Sequence, residues 1–206
     1  ANDCILFDGT DFCSESKKMD LCEMGKSKKG IYQPLINTMF VFSIGLQLPI
    51  YYRLLPGNIK DVKAFKLCLQ ESGVENATII ADKGFYSKTN IERLDKESLS
   101  YIIPLRRDNS LIDYSILTLN DKKKFEGYFK FENRYIWYYV IEIKEEKKQV
   151  CIFLDEELKM NEQKDYLLRI DKQIEGYSIE QFYEKQKAFG SIALYTNSTK
   201  TPHEIY

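Results

Sequence analysis

Apolar residues fall in short runs along most of the chain, set apart by polar and Gly- or Pro-containing breaks. Thr78, Ile79, Ile80 and Ala81 form a β-favouring run that ends in Asp82, passes through a turn at Gly84 and reaches Ser87, placed to open a helix. Cys4, Ile5, Leu6 and Phe7 repeat the design and end in Asp8 ahead of Gly9. Each predicts a buried strand delivering one carboxylate to a sheet edge, where loops carry chemistry. Residues 31–43 and 49–55 are apolar on either side of a turn at Gly45, which predicts an antiparallel hairpin. The segment 11–30 has no clear period and reads as a loop with a short helix. Pro56, Gly57 and Asn58 break the chain before a helix expected over 61–72, with Val62, Phe65 and Leu69 on one face and Gly73 closing it. A helix near 90–99 and a strand at 100–105 follow. The order β, β, β, α, β, α, β predicts a mixed α/β sheet with helices packed on it.

From about residue 128 the pattern changes. Residues 128–131, 135–143 and 149–154 are aromatic or β-branched, separated by Glu132, Asn133 and Arg134 and by a charge run over 144–148. They predict a small antiparallel meander. A helical stretch over 156–187, broken at Gly176, leads to a last strand at 191–195. Thr201, Pro202 and Glu204 have the N-cap, N1 and N3 spacing of a capping box, so a helix begins there. The chain starts at Ala1, without Met, and stops one turn into that helix. It is expected to be a piece of something longer.

The 206 residues suit one domain, or one domain with a sizeable insertion, and 44% hydrophobic content is enough for a real core. A net charge of −1 gives no global sign of nucleic acid, so any DNA contact needs a local basic patch. Five cysteines with no C-x-x-C pair and a single histidine, His203, argue against a Cys/His zinc site. Reduced thiols of a cytosolic protein are the simpler reading. No apolar run is long enough to span a membrane.

Asp8 and Asp82 are the first candidates for chemistry. Two carboxylates from different strands meeting at one sheet edge suit divalent metal ions, because Mg²⁺ takes one or two carboxylates plus waters and phosphate oxygens. Two such ions about 3.5–4 Å apart activate water and stabilise the leaving oxygen in phosphodiester cleavage. The plainer alternative is that each Asp before Gly forms a turn. An aspartyl-phosphate route of the haloacid dehalogenase type fails, because Leu6 stands where its nucleophile would be. Neither a phosphate-binding G-x-x-x-x-G-K-S/T loop nor a G-x-S-x-G elbow is present. Lysines between 17 and 29, with Lys83, Arg106 and Arg107, could meet a phosphate backbone or form a solvated face. Tyr135, Trp137, Tyr138 and Tyr139 invite a base-stacking role, but the core of the meander is the preferred reading.

On these residues the chain resembles the DDE transposases of bacterial insertion sequences, in the group whose ribonuclease H-like core carries a β-strand insertion. The matching pieces are Phe7, Asp8, Gly9 and Thr10; Gly57, Asn58, Ile59, Lys60 and Asp61; Ala81, Asp82, Lys83, Gly84 and Phe85; Tyr101, Ile102, Ile103, Pro104 and Leu105; and the strand from Ser191 that leads to Thr196 and Asn197. The resemblance implies an α/β fold: a ribonuclease H-like mixed sheet with flanking helices, built from residues 1–110 and 190–206, with an inserted antiparallel β-rich subdomain at 111–189. It implies that Asp8 and Asp82 are the first two members of an acidic triad holding Mg²⁺ or Mn²⁺, two ions in the intact enzyme. The third acid, a Glu, is expected on the helix after the Thr196–Asn197 strand, beyond Tyr206, and this piece is expected to be inactive alone. Glu180 and Glu184 precede that strand and read as exposed helix charges. The implied partners are double-stranded DNA at transposon ends and target DNA, contacted by Lys28, Lys29, Asn58, Lys83, Arg106 and Arg107, with a homodimer in the parent. The implied location is cytoplasmic and nucleoid-associated. A decayed remnant kept for binding, or a stand-alone nuclease of the same fold, are the alternative readings.

Overall fold

Strand β1, Cys4–Cys13, alternates buried Ile5 and Phe7 with exposed Leu6 and Asp8, the period-2 pattern of a strand with one face in a core. It comes from a computed structural model that describes residues 4–16, 18–27, 30–58, 67–68, 71–73, 77–119 and 121–206. The chain divides into two units, Ala1–Ile103 and Pro104–Tyr206.

In the first unit β1 is joined by β2 (Glu23–Lys26), β3 (Tyr32–Ser43), β4 (Leu48–Pro56), β5 (Thr78–Ala81) and β6 (Ser100–Pro104), the last ending at the boundary. The order is β2-β3-β1-β5-β6, with β4 also on β3. β1 runs antiparallel to β3 and parallel to β5, and β5 parallel to β6. The first unit is thus a mixed sheet in which a hairpin lies against a central strand that continues into parallel neighbours. Helix α1, Lys88–Lys96, starts at Ser87, whose Oγ accepts the Asn90 N–H at 3.2 Å. It buries Ile91 and Leu94, and the Tyr101 hydroxyl of β6 donates to its Asp95 at 3.1 Å. Ile79, Tyr101 and Ile103 are almost wholly buried, because parallel strands lose solvent on both faces.

Two sequence expectations change here. β1 does not turn at Gly9 but runs on to Cys13, because the twelve residues of β3 keep supplying partners as far as the Cys13–Leu35 pair. The segment expected as loop and short helix contains β2, which pairs with residues 32–35 of β3. Four residues around a glycine are too short to show a period. β2 and β4 share one edge of β3 and meet end to end at Gly25 and Gly57. A Cβ on Gly25 would lie 2.1 Å from the Gly57 carbonyl oxygen, so the close approach requires glycine. Of the helix expected at 61–72, Val62, Phe65 and Leu69 lie outside the described residues; Leu67, Cys68, Glu71 and Ser72 are helical.

The second unit is built on an antiparallel sheet in the order β10-β9-β8-β7: β7 is Gly127–Phe131, β8 Arg134–Ile143, β9 Lys148–Asp155 and β10 Ser191–Thr196. The meander matches the expected segments within a residue or two. Its helices are α2 (Ser115–Thr118), α3 (Glu156–Asp171), α4 (Ile179–Lys185) and α5 (Pro202–Ile205). The helical stretch expected over 156–187 is two helices, and the expected break at Gly176 falls between them. Tyr166 of α3 folds back against Tyr177, Phe182 and Phe189, with ring centroids 4.9–5.8 Å apart. Gly190 has φ +72°, and a Cβ there would come within 2.5 Å of the Asp155 carbonyl oxygen, so the return into β10 needs glycine. The capping box forms as the spacing predicts: Glu204 accepts the Thr201 N–H at 2.9 Å. Among the described residues no helix is long and apolar enough to cross a membrane.

Candidate metal and DNA site

The β1–β5 ladder decides how the two candidate acids meet. Its last pair is Phe7 with Ala81, both buried. Asp8 and Asp82 are the next residues on each strand, and Asp82 keeps extended angles (φ −68°, ψ 157°). Alternation therefore turns both side chains away from the core, onto one exposed face. Neighbouring strands lie about 4.8 Å apart, which sets the two residues beside each other just past the end of the ladder. Both are exposed. Across the other edge of β1, Asp8 stands opposite Phe40, itself 37% exposed.

Asp82 also organises the turn after it. Its Oδ1 accepts the Lys83 N–H at 2.7 Å and its carbonyl accepts the Phe85 N–H at 2.8 Å, which closes the short 3-10 turn Lys83–Phe85. Phe85 is buried, and its carbonyl accepts from the buried Asn90 amide at 2.6 Å. The turn is thus pinned from below while Asp82, Lys83 and Gly84 face solvent. One carboxylate oxygen is spent on the backbone. The hard oxygen donors that Asp8 and Asp82 bring together suit a divalent cation completed by water and phosphate oxygens. Among the described residues no group of three or more His, Cys, Asp or Glu side chains converges on a possible metal position.

The other site candidates are dispersed. Lys83 adjoins Asp82. Asn58 is exposed in the turn after β4, and that turn lies beside Leu35, the partner of Cys13, five positions along β1 from Asp8. Lys28 and Lys29 lie outside the described residues. Arg106 and Arg107 belong to the second unit. Both are exposed, and Arg107 is also engaged within its unit: its guanidinium holds Glu162 at 2.8 Å and the Ser191 carbonyl at 3.1 Å. Glu180 and Glu184 are exposed on α4, as expected. His203 is exposed too, with its ring stacked 4.8 Å from Phe129.

The tyrosines of β8 divide. Ile136 and Tyr139 are buried, as a core reading requires, while Tyr135 is 58% exposed. Nothing in a run of five consecutive aromatic and aliphatic residues marks which face lies outward.

Comparison with known proteins gives one family. A family model described as "Transposase DDE domain" matches residues 2–206. No curated protein matches the sequence. Among solved structures the chain is similar to one titled "Cryo-EM structure of piggyBac transposase synaptic complex with hairpin DNA", at 10% sequence identity and a TM-score of 0.46. That match covers 96% of this chain and 34% of the other, so the chain spans about a third of the solved chain's length.

Proposed function

The chain belongs to the transposase DDE domain family, and from that premise we propose that it supplies the acidic face on which a DNA transposase cleaves and rejoins phosphodiester bonds at transposon ends. One observation carries this reading: the β1–β5 ladder ends at the Phe7–Ala81 pair, so Asp8 and Asp82 are the next residues on adjacent strands, and both are exposed.

Asp8 and Asp82 would hold Mg²⁺ or Mn²⁺. When bound, such ions activate a water or a 3′-hydroxyl and stabilise the leaving oxygen. The chain's own residues position the reaction. The β1–β5 ladder fixes the spacing of the carboxylates. The 3-10 turn holds one oxygen of Asp82 against the Lys83 N–H and leaves the Lys83 side chain exposed, where its ammonium would suit a backbone phosphate. Asn58, Lys28, Lys29, Arg106 and Arg107 are proposed DNA contacts, with Arg107 the weakest of them because Glu162 already neutralises it. Glu204 is not proposed as the third acid, since Thr201 holds its carboxylate in the capping box. A ribonuclease H-like core over 1–110 and 190–206, interrupted by an insertion at 111–189, is the domain reading that accompanies this function.

Mn²⁺ titration by calorimetry tests it. The native chain is expected to bind, and Asp8→Asn and Asp82→Asn are each expected to abolish binding while leaving the fold intact by circular dichroism. Binding that survives both substitutions would overturn the metal role.

A further inference from the structure

Glycines in this chain answer to different demands. Gly25, Gly57 and Gly190 are held by nearby backbone: a Cβ on any of them would fall 2.1–2.5 Å from a carbonyl oxygen. Gly73 and Gly176 have open space around them but φ of +63° and +85°, where other residues are strained. Gly84, two residues past Asp82, meets neither demand. Its φ lies outside the left-handed region, and beyond its chain neighbours a Cβ there would meet one described atom within 4 Å, Asp82 Oδ2 at 3.8 Å. That is ordinary van der Waals contact, so local packing would admit a side chain. The use of a glycine here lies on the solvent side.

The turn that carries Gly84 is held firmly from the core. Asn90, 2% exposed, gives its amide to the Phe85 carbonyl at 2.6 Å, and Phe85 gives its N–H to the Asp82 carbonyl at 2.8 Å. Asn90 Oδ1 is buried with no hydrogen-bond partner among the described residues, so this side chain is kept for its donor. Asp82 Oδ1 accepts the Lys83 N–H at 2.7 Å, and Oδ2 is the oxygen left beside Gly84. A bare backbone at such a place lets a bulky ligand come close, which is one of the uses of glycine. From Asp82 to Arg93 the charged residues are the acids Asp82 and Glu92 and the cations Lys83, Lys88 and Arg93, so the segment as a whole does not repel an anion.

We propose that Gly84 is a substrate-clearance residue: its missing side chain is the gap through which a DNA backbone phosphate approaches a cation held on Asp82 Oδ2. The proposal rests on the metal role of Asp8 and Asp82 given above and adds a residue that decides what can approach it. Asn90 fixes the turn from below, and Gly84 keeps its outer side bare.

The test is anisotropy of a labelled DNA duplex with and without Mn²⁺, on the native chain and on Gly84→Ala and Gly84→Leu, beside Mn²⁺ calorimetry without DNA. Gly84→Ala should melt at or above the native temperature, since alanine fits this backbone and narrows the unfolded ensemble. Both variants should keep the native affinity for Mn²⁺ alone, because water ligands rearrange around a side chain. The gain in duplex affinity that Mn²⁺ brings should shrink with the size of the side chain, by roughly tenfold in Gly84→Leu. Gly84→Ala carries the same comparison, with a smaller shift, should Gly84→Leu fail to fold. A folded Gly84 variant that keeps the full Mn²⁺-dependent gain overturns this inference and leaves the metal role standing. So does a native chain that binds Mn²⁺ yet gains no duplex affinity from it. Joint loss of melting temperature and Mn²⁺ affinity in Gly84→Ala would make the glycine structural and overturn the inference as well. Absence of Mn²⁺ binding by the native chain overturns both.

Discussion

Asp82 and Asp155 arise from the same local design and end in opposite situations. Each closes a short apolar strand, Thr78–Ala81 or the run from Cys151 to Leu154, and each caps the helical turn next to it. Asp155 is 1% exposed. Its Oδ1 takes the N–H groups of Glu157 and Leu158 at 3.0 and 3.1 Å, and its Oδ2 takes Arg134 at 2.6 Å. Asp82 faces solvent, accepts one backbone N–H through Oδ1 and follows Ala81, whose ladder partner Phe7 precedes Asp8. A strand-end carboxylate is thus structural where its partners belong to the fold, and the exposed Asp82 is the one proposed for chemistry. The like charges beside Asp82 favour a cation between them; the guanidinium beside Asp155 removes that demand.

The largest expected effect breaks the pair apart by function. In a transposase that contains this chain, Asp82→Asn and Asp8→Asn should each lower DNA cleavage by about three orders of magnitude or more, while Asp155→Asn should act only through stability. A cleavage assay at a temperature where all three variants remain folded checks this. Equal losses in all three would erase the distinction.

Stability should show the reverse order. Asp155→Ala leaves Arg134 without its carboxylate and the first turn of α3 without its cap. Because Arg134 is about a third exposed, water softens the loss to roughly 2–4 kcal/mol. Urea unfolding monitored through Trp137 measures it, and Asp82→Ala, which gives up one exposed N–H bond, should cost about 1 kcal/mol or less.

The cysteines repeat the contrast between buried and exposed groups without ion pairs. Burial pushes the Cys68 thiol from its ordinary value near 9 up to about 11, and Cys151 up to about 12. Both therefore stay protonated in the folded chain at pH values where they would ionise when unfolded. Their stabilising contribution is complete below pH 9 and is lost as pH rises towards 11 and 12. Each thiol should add up to about 1.4 kcal/mol of destabilisation per pH unit in that window. Urea midpoints of Cys68→Ala and Cys151→Ala against the native chain between pH 8 and 11 isolate each thiol, since either variant should flatten the decline. At neutral pH the exposed Cys13 should alkylate first.

The smallest effect concerns caps that both sequence and structure identify. Ser87→Ala and Thr201→Ala should each cost about 1 kcal/mol by urea unfolding. Hydrogen exchange should then rise first in the helical turns these residues cap.

Much of the first unit was legible. The apolar runs at 4–7, 31–43, 49–55 and 78–81 became strands because β-branched and aromatic residues suit a half-buried pleat whatever lies around them. Asp8 and Asp82 stood out for the same reason: each follows such a run. β2 was not legible, since its pairing comes from the overhang of β3 and not from its own four residues. The continuation of β1 past Gly9 was hidden likewise, because the glycine signal is local and the partner strand is not. Asp155 passed unnoticed beside a charged helix, although its strand has the design that singled out Asp82.

The sequence by itself determined most of the strands, though neither β2 nor the far half of β1, and with them the meander, the capping box over Thr201 and Glu204, and the two acids of interest, because these depend on residues a few positions apart. Only the tertiary structure decided which carboxylate is enclosed and which aromatic rings are packed. Asp155 is enclosed by Arg134 from twenty-one positions away, and Phe129 is covered by Tyr206 from the last turn of the chain. Exposure is a property of what packs on a side chain, and those partners are brought in by long-range pairing that no local spacing encodes.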